Sequence, residues 1–409
     1  MLGIRDRSLK NGLRLITIKK PGALMAVNFG IASGAMYDPP ELKGISHFME
    51  HMLFTGTTNR THGAINEEFE ALGGDVNAFT DLTATVLSAS ALDSELPGAL
   101  AVIADLLRNS IFPEIETERE RGVILSEYRE GLEDIETITF DRLYAGAFPK
   151  DPLRYDVIGT EKTIKGITAT DLRSHYQTTV VPQNCVLVII SPRPHREVEA
   201  LVKGNFADWQ GPAPIKPDFP PMKKRAGEST YRRDNSEMST VALLYSFPPL
   251  DDKTEIAMRI LNHKLGDSDN SLLFKEVRLK RGLAYDIYSS LDTTEGVNTL
   301  EIYCAMDPEN LSEVYTIIRE TIAGLADGSL YFPAETLDLM KKVTRTHVAN
   351  LLDDTQSLAH YVTGNALEGK TLLKYVEDAL IMDSITLEDI YAAAAMVFKD
   401  PAIHFVIPS

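Results

Sequence analysis

The stretch GISHFMEHMLFTGT, residues 44–57, sets His47, Glu50 and His51 in an otherwise apolar run. On a helix, residues four apart are turned by only about 40°, so His47 and His51 project from one face and both imidazoles can reach one divalent ion at about 2.0–2.1 Å. Glu50, three residues after His47, stands near that face, placed to take a proton from a water on the ion rather than to bind the ion. The chemistry of such a set is hydrolysis. An isolated histidine on an apolar helix is more often a hydrogen-bonded core residue, whereas two histidines and an acid in this register make a pincer and a base. A catalytic zinc also needs a third protein ligand and an open position. Residues 114–134 contain eight acidic side chains. Among them, Glu120 and Glu127 lie seven residues apart and so on one side of a helix, but spacing alone does not choose between the acids.

The elements that must position these groups repeat. Between Trp209 and Gly227 five prolines fall within a short stretch (Pro212, Pro214, Pro217, Pro220, Pro221), which excludes helix and central strand and marks residues 211–226 as a linker. It separates an N-terminal domain, 1–210, from a C-terminal one, 227–409. In the first, AVNFGIASGAMYD leads through Pro39-Pro40 into the histidine helix; in the second, TVALLYSF leads through Pro248-Pro249 into TEIAMRILNHKL. A long helix follows Phe112-Pro113 in one half and Phe332-Pro333 in the other, with proline near the first turn. These parallels indicate a tandem duplication. Short strands such as TATVLSASAL, CVLVIIS, TLEIYCAM and AIHFVIP predict an α+β fold of two homologous domains, each a largely antiparallel mixed sheet covered by helices. Aligning the Pro-Pro pairs sets Ile256, Arg259 and Ile260 opposite His47, Glu50 and His51. The second copy carries no metal ligands there, so the fold itself does not require them.

Composition narrows the classes. A net charge of −18 argues against nucleic acid and favours partners with basic character. No window has the roughly 18 apolar residues of a membrane helix. The first twenty residues read as a hairpin turning at Asn11-Gly12 and lack the apolar block of a secretory signal, so a cytoplasmic protein is expected. Cys185 and Cys304 lie in separate apolar runs, as small buried residues rather than a disulfide framework.

The H-x-x-E-H order and the whole length of the chain resemble the inverted zincins of pitrilysin and insulinase type, in particular the mitochondrial processing peptidase-like subgroup. The resemblance implies that subgroup's metallohydrolase fold and one Zn2+ per chain. It implies Glu127 as third ligand, since the family places it 76 residues beyond the second histidine, and Glu120 as its supporting acid. GGDVNAFTD matches the family's substrate strand and implies that Asn77, Ala78, Phe79 and Thr80 pair with an extended peptide. SLLFKEVRLKRGLAYDIYS matches the segment whose arginine and tyrosine, here Arg278 and Tyr285, hold the substrate backbone and help stabilise the oxyanion. Just upstream the family has a glycine-rich turn where this chain has Gly266-Asp267-Ser268-Asp269-Asn270, a departure that bears on the conformation of that loop.

The activity implied is that of a zinc endopeptidase acting on short or unfolded peptides, with His47, His51 and Glu127 on the metal and Glu50 as base. The alternative is a non-catalytic structural subunit or peptide-binding homologue of the same fold. Larger relatives assemble four such domains and this chain has two, so a homodimer is expected, with a heterodimer of related subunits as the other arrangement.

Overall fold

The computed structural model describes residues 3–150, 152–214, 224–294 and 296–409. Of the expected linker 211–226, residues 215–223 lie outside the described residues. The first sheet holds β1 (Gly3–Ser8), β2 (Arg14–Lys19), β3 (Leu24–Ile31), β4 (Asp75–Thr80), β5 (Thr85–Leu92) and β6 (Cys185–Ser191), in the order β1-β2-β6-β3-β5-β4. The second holds β7 (Gly227–Arg233), β8 (Ser239–Ser246), β9 (Asp286–Asp292), β10 (Thr299–Met306) and β11 (Ala402–Pro408), in the order β7-β11-β8-β10-β9. Both are antiparallel except for one parallel pair each, β2 with β6 and β7 with β11. The five strands β2-β6-β3-β5-β4 thus have the order and directions of the whole second sheet, and β1 is an addition made by the hairpin at Gly12.

The helices are α1 (Ile45–Leu53), α2 (His62–Ala71), α3 (Leu96–Asn109), α4 (Glu114–Glu133), α5 (Ile135–Ala147), α6 (Glu161–Gly166), α7 (Ala169–Thr179) and α8 (His195–Phe206) in the first half of the chain. Then come α9 (Asp252–Leu265), α10 (Leu311–Asp327), α11 (Glu335–Asp353), α12 (Thr355–Leu367), α13 (Lys374–Met382) and α14 (Leu387–Val397).

The compact units are not the contiguous stretches 1–210 and 227–409. One comprises residues 1–129, 155–218 and 349–373, the other 130–154, 219–348 and 374–409. The reason is visible in the strands. In β6, Leu187 and Ile189 face one core with Phe29, Phe48 and Leu100, whereas Val186, Val188 and Ile190 face the opposite side of the sheet. A strand apolar on both sides needs a layer on both sides. The second layer of the first sheet is α12, whose Leu358, Ala359, Val362 and Ala366 cover that opposite side. Its approach is close: a Cβ on Gly30 of β3 would lie 2.8 Å from Leu367 and Thr363 side-chain carbons. In the second unit, α5 packs on β8 and β11, with Phe140 stacked on Tyr303 at 5.6 Å between ring centres.

Candidate metal and peptide site

All the residues of the candidate metal cluster belong to the first unit. Helix α1 is fixed by its apolar stripe: Ile45, Phe48, Met49, Met52 and Leu53 are buried in the core, which turns His47, Glu50 and His51 to the other face. Gly44, at the N-cap, has φ 90° and no side chain to cap the helix. The cap comes from upstream, where the buried Asp38 carboxylate accepts hydrogen bonds from Gly44 N (2.9 Å) and Ser46 Oγ (2.5 Å). Ser46 Oγ in turn lies 3.1 Å from His175 Nε2 on α7. Burial pushes Asp38 up to about 6 and His175 down to about 4. A side chain at Gly44 is barred by its positive φ and by the Ile158 carbonyl, 2.2 Å from where a Cβ would stand.

Helix α4 presents the acids. Thr117 and Ile124 are buried, Leu125 and Tyr128 pack on the same core, and Glu120 and Glu127 each lie three residues beyond one of the buried pair. The buried stripe therefore aims both acids at α1. Arg121 braces the two helices: its guanidinium lies 5.4 Å over the Phe48 ring and donates to the Ile167 carbonyl at 2.7 Å.

The geometry at the meeting point is that of a chelate. One donor atom from each of His47, His51 and Glu127 lies within 4.8 Å of the other two. Nε2 of each histidine is 3.8 Å from a Glu127 oxygen. That is too long for a hydrogen bond but suits two donors each about 2.0–2.1 Å from one ion, which stand roughly 3.3–4.1 Å apart. Burial, with His51 alongside, pushes His47 down to about 4, so its imidazole is neutral at pH 7 as a ligand must be. The donor set thus fits a divalent ion of zinc type. Glu120 lies outside this triangle, with Oε2 3.3 Å from His51 Nδ1.

Glu50 faces strand β4. Its Oε2 accepts from Thr80 Oγ1 at 2.9 Å, and burial raises its pKa against the opposing effect of that hydrogen bond. Strand β4 is the sheet edge and, among the described residues, pairs with β5 alone. Val76 and Ala78 pack toward the α1 core, whereas Asn77 and Phe79 lie on the α12 side, where the Phe79 ring meets His360 at 5.9 Å. Beside the cluster is a cavity of about 280 Å³ bounded by Glu50, His51, Phe54, Val76, Ala78 and Glu120.

Residues 14–161 match the profile described as insulinase (peptidase family M16), and residues 166–343 the one described as peptidase M16 inactive domain. An uncharacterized zinc protease of Mycobacterium leprae is 31% identical over 79% of this chain and 74% of its own. The chain belongs to the insulinase family of peptidases. Another uncharacterized zinc protease, from Bacillus subtilis, is 28% identical over 99% of this chain and 98% of its own. The fold of a protease from Helicobacter pylori superposes with a TM-score of 0.93 at 21% identity over the full length of both chains.

In this insulinase-family chain Arg278 and Tyr285 belong to the second unit. Arg278 sits on a π-helical turn, Phe274–Leu279, with its guanidinium 5.1 Å over the Phe274 ring. Tyr285 is exposed and its hydroxyl donates to Asp307 at 2.7 Å. The loop 266–270 folds against β9, because a Cβ on Gly266 would lie 2.4 Å from Ser289 N. With β9 and Arg278 it encloses a cavity of about 540 Å³. On α9, Ile256 and Ile260 are buried in the second core, and Arg259 pairs with Glu255 and Asp378. The positions equivalent to the metal cluster thus hold packing and an ion pair. Among the described residues no helix is long and apolar enough to cross a membrane.

Sequence reasoning missed Asp38, Ser46 and His175, whose meeting depends on three distant segments, and it gave no role to Phe54, Val76 or His62. Position could have flagged Asp38, an acid just before a helix that has no capping side chain of its own.

Proposed function

We propose that this insulinase-family chain is a zinc-dependent endopeptidase that binds one Zn2+ per chain and cleaves short or unfolded peptides. The observation that carries the reading is the convergence of His47, His51 and Glu127 donors with the Glu50 carboxylate beside the open edge of β4. The zinc protease names of the relatives support the choice of metal.

His47, His51 and Glu127 would hold the ion, and Glu120 would orient the His51 ring and raise its basicity. When bound, zinc supplies a Lewis acid that polarises a carbonyl and acidifies water. Glu50 takes the proton from the attacking water and returns it to the leaving amine; its burial, which raises its affinity for a proton, suits it to both steps. Residues 77–80 pair with the peptide backbone, so the substrate must be extended, and a folded protein offers no such strand. Arg278 and Tyr285 would grip the substrate backbone and face the developing oxyanion. The working unit in this proposal is a homodimer, and the acidic balance favours peptides with basic residues.

Purified protein is assayed for bound zinc and for cleavage of a mixed peptide library, beside Glu50→Gln. Zinc at one per chain with cleavage lost in Glu50→Gln supports the reading. Absence of zinc favours a structural subunit, and zinc without Glu50-dependent cleavage favours a peptide-binding homologue.

A further inference from the structure

The cavity beside the metal cluster has a neighbour. Thr55 and His62, which also border it, line a second cavity of about 520 Å³ between the loop 55–63 and the start of α4. The far wall is Ile111, Pro113, Ile115 and Glu116. Ile111, just before the helix that carries Glu120 and Glu127, is 41% exposed, and Ile115, in its first turn, 78%. Isoleucine left in water beside a cleft is uncompensated apolar surface.

The opposite wall is held firmly. Its anchor is Asp105, a buried carboxylate on α3 that accepts from Thr57 Oγ1 (2.6 Å), Asn59 Nδ2 (2.5 Å) and Arg60 Nη1 (2.9 Å). Backbone bridges join Gly56 to Thr61 and Thr57 to Ser110. Three hydrogen bonds to Asp105, the bridge to Ser110 at the end of the same helix and the bridge within the loop fix it, so the groove has a built wall.

We infer that this second cavity is a subsite of the same cleft, in which a peptide lying on β4 runs past His62 and seats an apolar side chain on Ile111 and Ile115. The occupant is one substrate residue at a remove from the bond cleaved, and it is aliphatic or aromatic because the wall offers methyl groups and a proline ring. The inference rests on the peptidase reading of the adjoining cavity, with which this one shares Thr55 and His62.

The test measures binding by fluorescence anisotropy, with the full-length zinc-loaded Glu50→Gln protein and labelled peptides that differ only by leucine or serine at successive positions. A preference for leucine of about tenfold is expected at one position outside the pair flanking the scissile bond. In the Ile111→Ser, Ile115→Ser double variant that preference should vanish, while peptides too short to reach the groove bind as before. Both isoleucines are partly or largely exposed, so the variant should melt at an unchanged temperature. The inference is overturned if no position shows the preference, if the double variant keeps it, if short and long peptides weaken alike, or if sedimentation shows that the variant changes only self-association. Leucine-selective binding without cleavage by the wild-type protein would leave the subsite standing and remove the hydrolase reading.

Discussion

The Glu120 carboxylate stands 3.3 Å from Nδ1 of His51, while Nε2 of the same ring faces Glu127 across 3.8 Å. One imidazole therefore has a carboxylate at each end, and in the proposed metal site Glu120 would fix its tautomer while Glu127 would share the ion. Glu120→Ala should leave the three donors in place and loosen only the ring, so zinc affinity should drop by about 10- to 100-fold. Glu127→Ala removes a donor and should drop it further. Competition with a chromogenic chelator measures both, and equal affinities for Glu120→Ala and wild type would remove Glu120 from the site.

Glu50 accepts from Thr80 and is not one of the three clustered donors, although its charge interacts with those of His51 and Glu127. Glu50→Gln should retain stoichiometric zinc and lose cleavage by a factor on the order of 100 to 10,000 in kcat. Thr80→Val removes the hydrogen bond that opposes proton uptake by Glu50. Its effect should appear in the pH dependence of kcat, with the acidic limb displaced upward, since Glu50 must be ionised to take the proton. A pH profile identical to wild type would mean that the contact does not reach the proton transfer.

The parts of this arrangement legible in the sequence were those with a local period. CVLVIIS coincides with β6, and the apolar stripe of α1 places its histidines by rotation alone. The Asn11-Gly12 turn sits in the β1–β2 hairpin, with Gly12 at φ 94°. What the pattern could not say was which sheet a helix covers. The buried residues of α5 and α12 form only weakly periodic faces, and each helix packs in the compact unit that does not contain the strands nearest to it in sequence. Periodicity reports that a face is buried, not against what. The Asp38–Ser46–His175 contact was hidden for a related reason: it joins residues 8 and 129 positions apart.

That contact has its own consequence. Asp38→Ala would leave Gly44 N and Ser46 Oγ without their acceptor at the buried start of α1. The loss should destabilise the first unit by about 2–4 kcal/mol. It should also lower zinc affinity, since His47 lies one residue beyond Ser46. Urea denaturation of the metal-free protein, followed by zinc titration, reads the two effects separately; unchanged stability in the first would show that water replaces the carboxylate.

In the second unit, Glu301 on β10 accepts a hydrogen bond from Tyr144 of α5, on the layer that α5 forms over β8 and β11. Burial raises its carboxyl from 4.5 to about 7; the Tyr144 hydrogen bond opposes the shift, and Asp292 and Glu136 add to it. Between those two values the unfolded chain is charged while the folded one still holds its proton. The stabilising contribution is therefore complete below about 4.5 and is lost as pH climbs through about 7. The loss should reach roughly 2 kcal/mol for a partly buried group. Glu301→Gln keeps an acceptor for Tyr144 and cannot ionise, so its stability should be nearly level over the same window and exceed wild type above it. Denaturation of both proteins from pH 4 to 8 tests this, and parallel curves would show that the carboxyl titrates alike in the folded and unfolded chains.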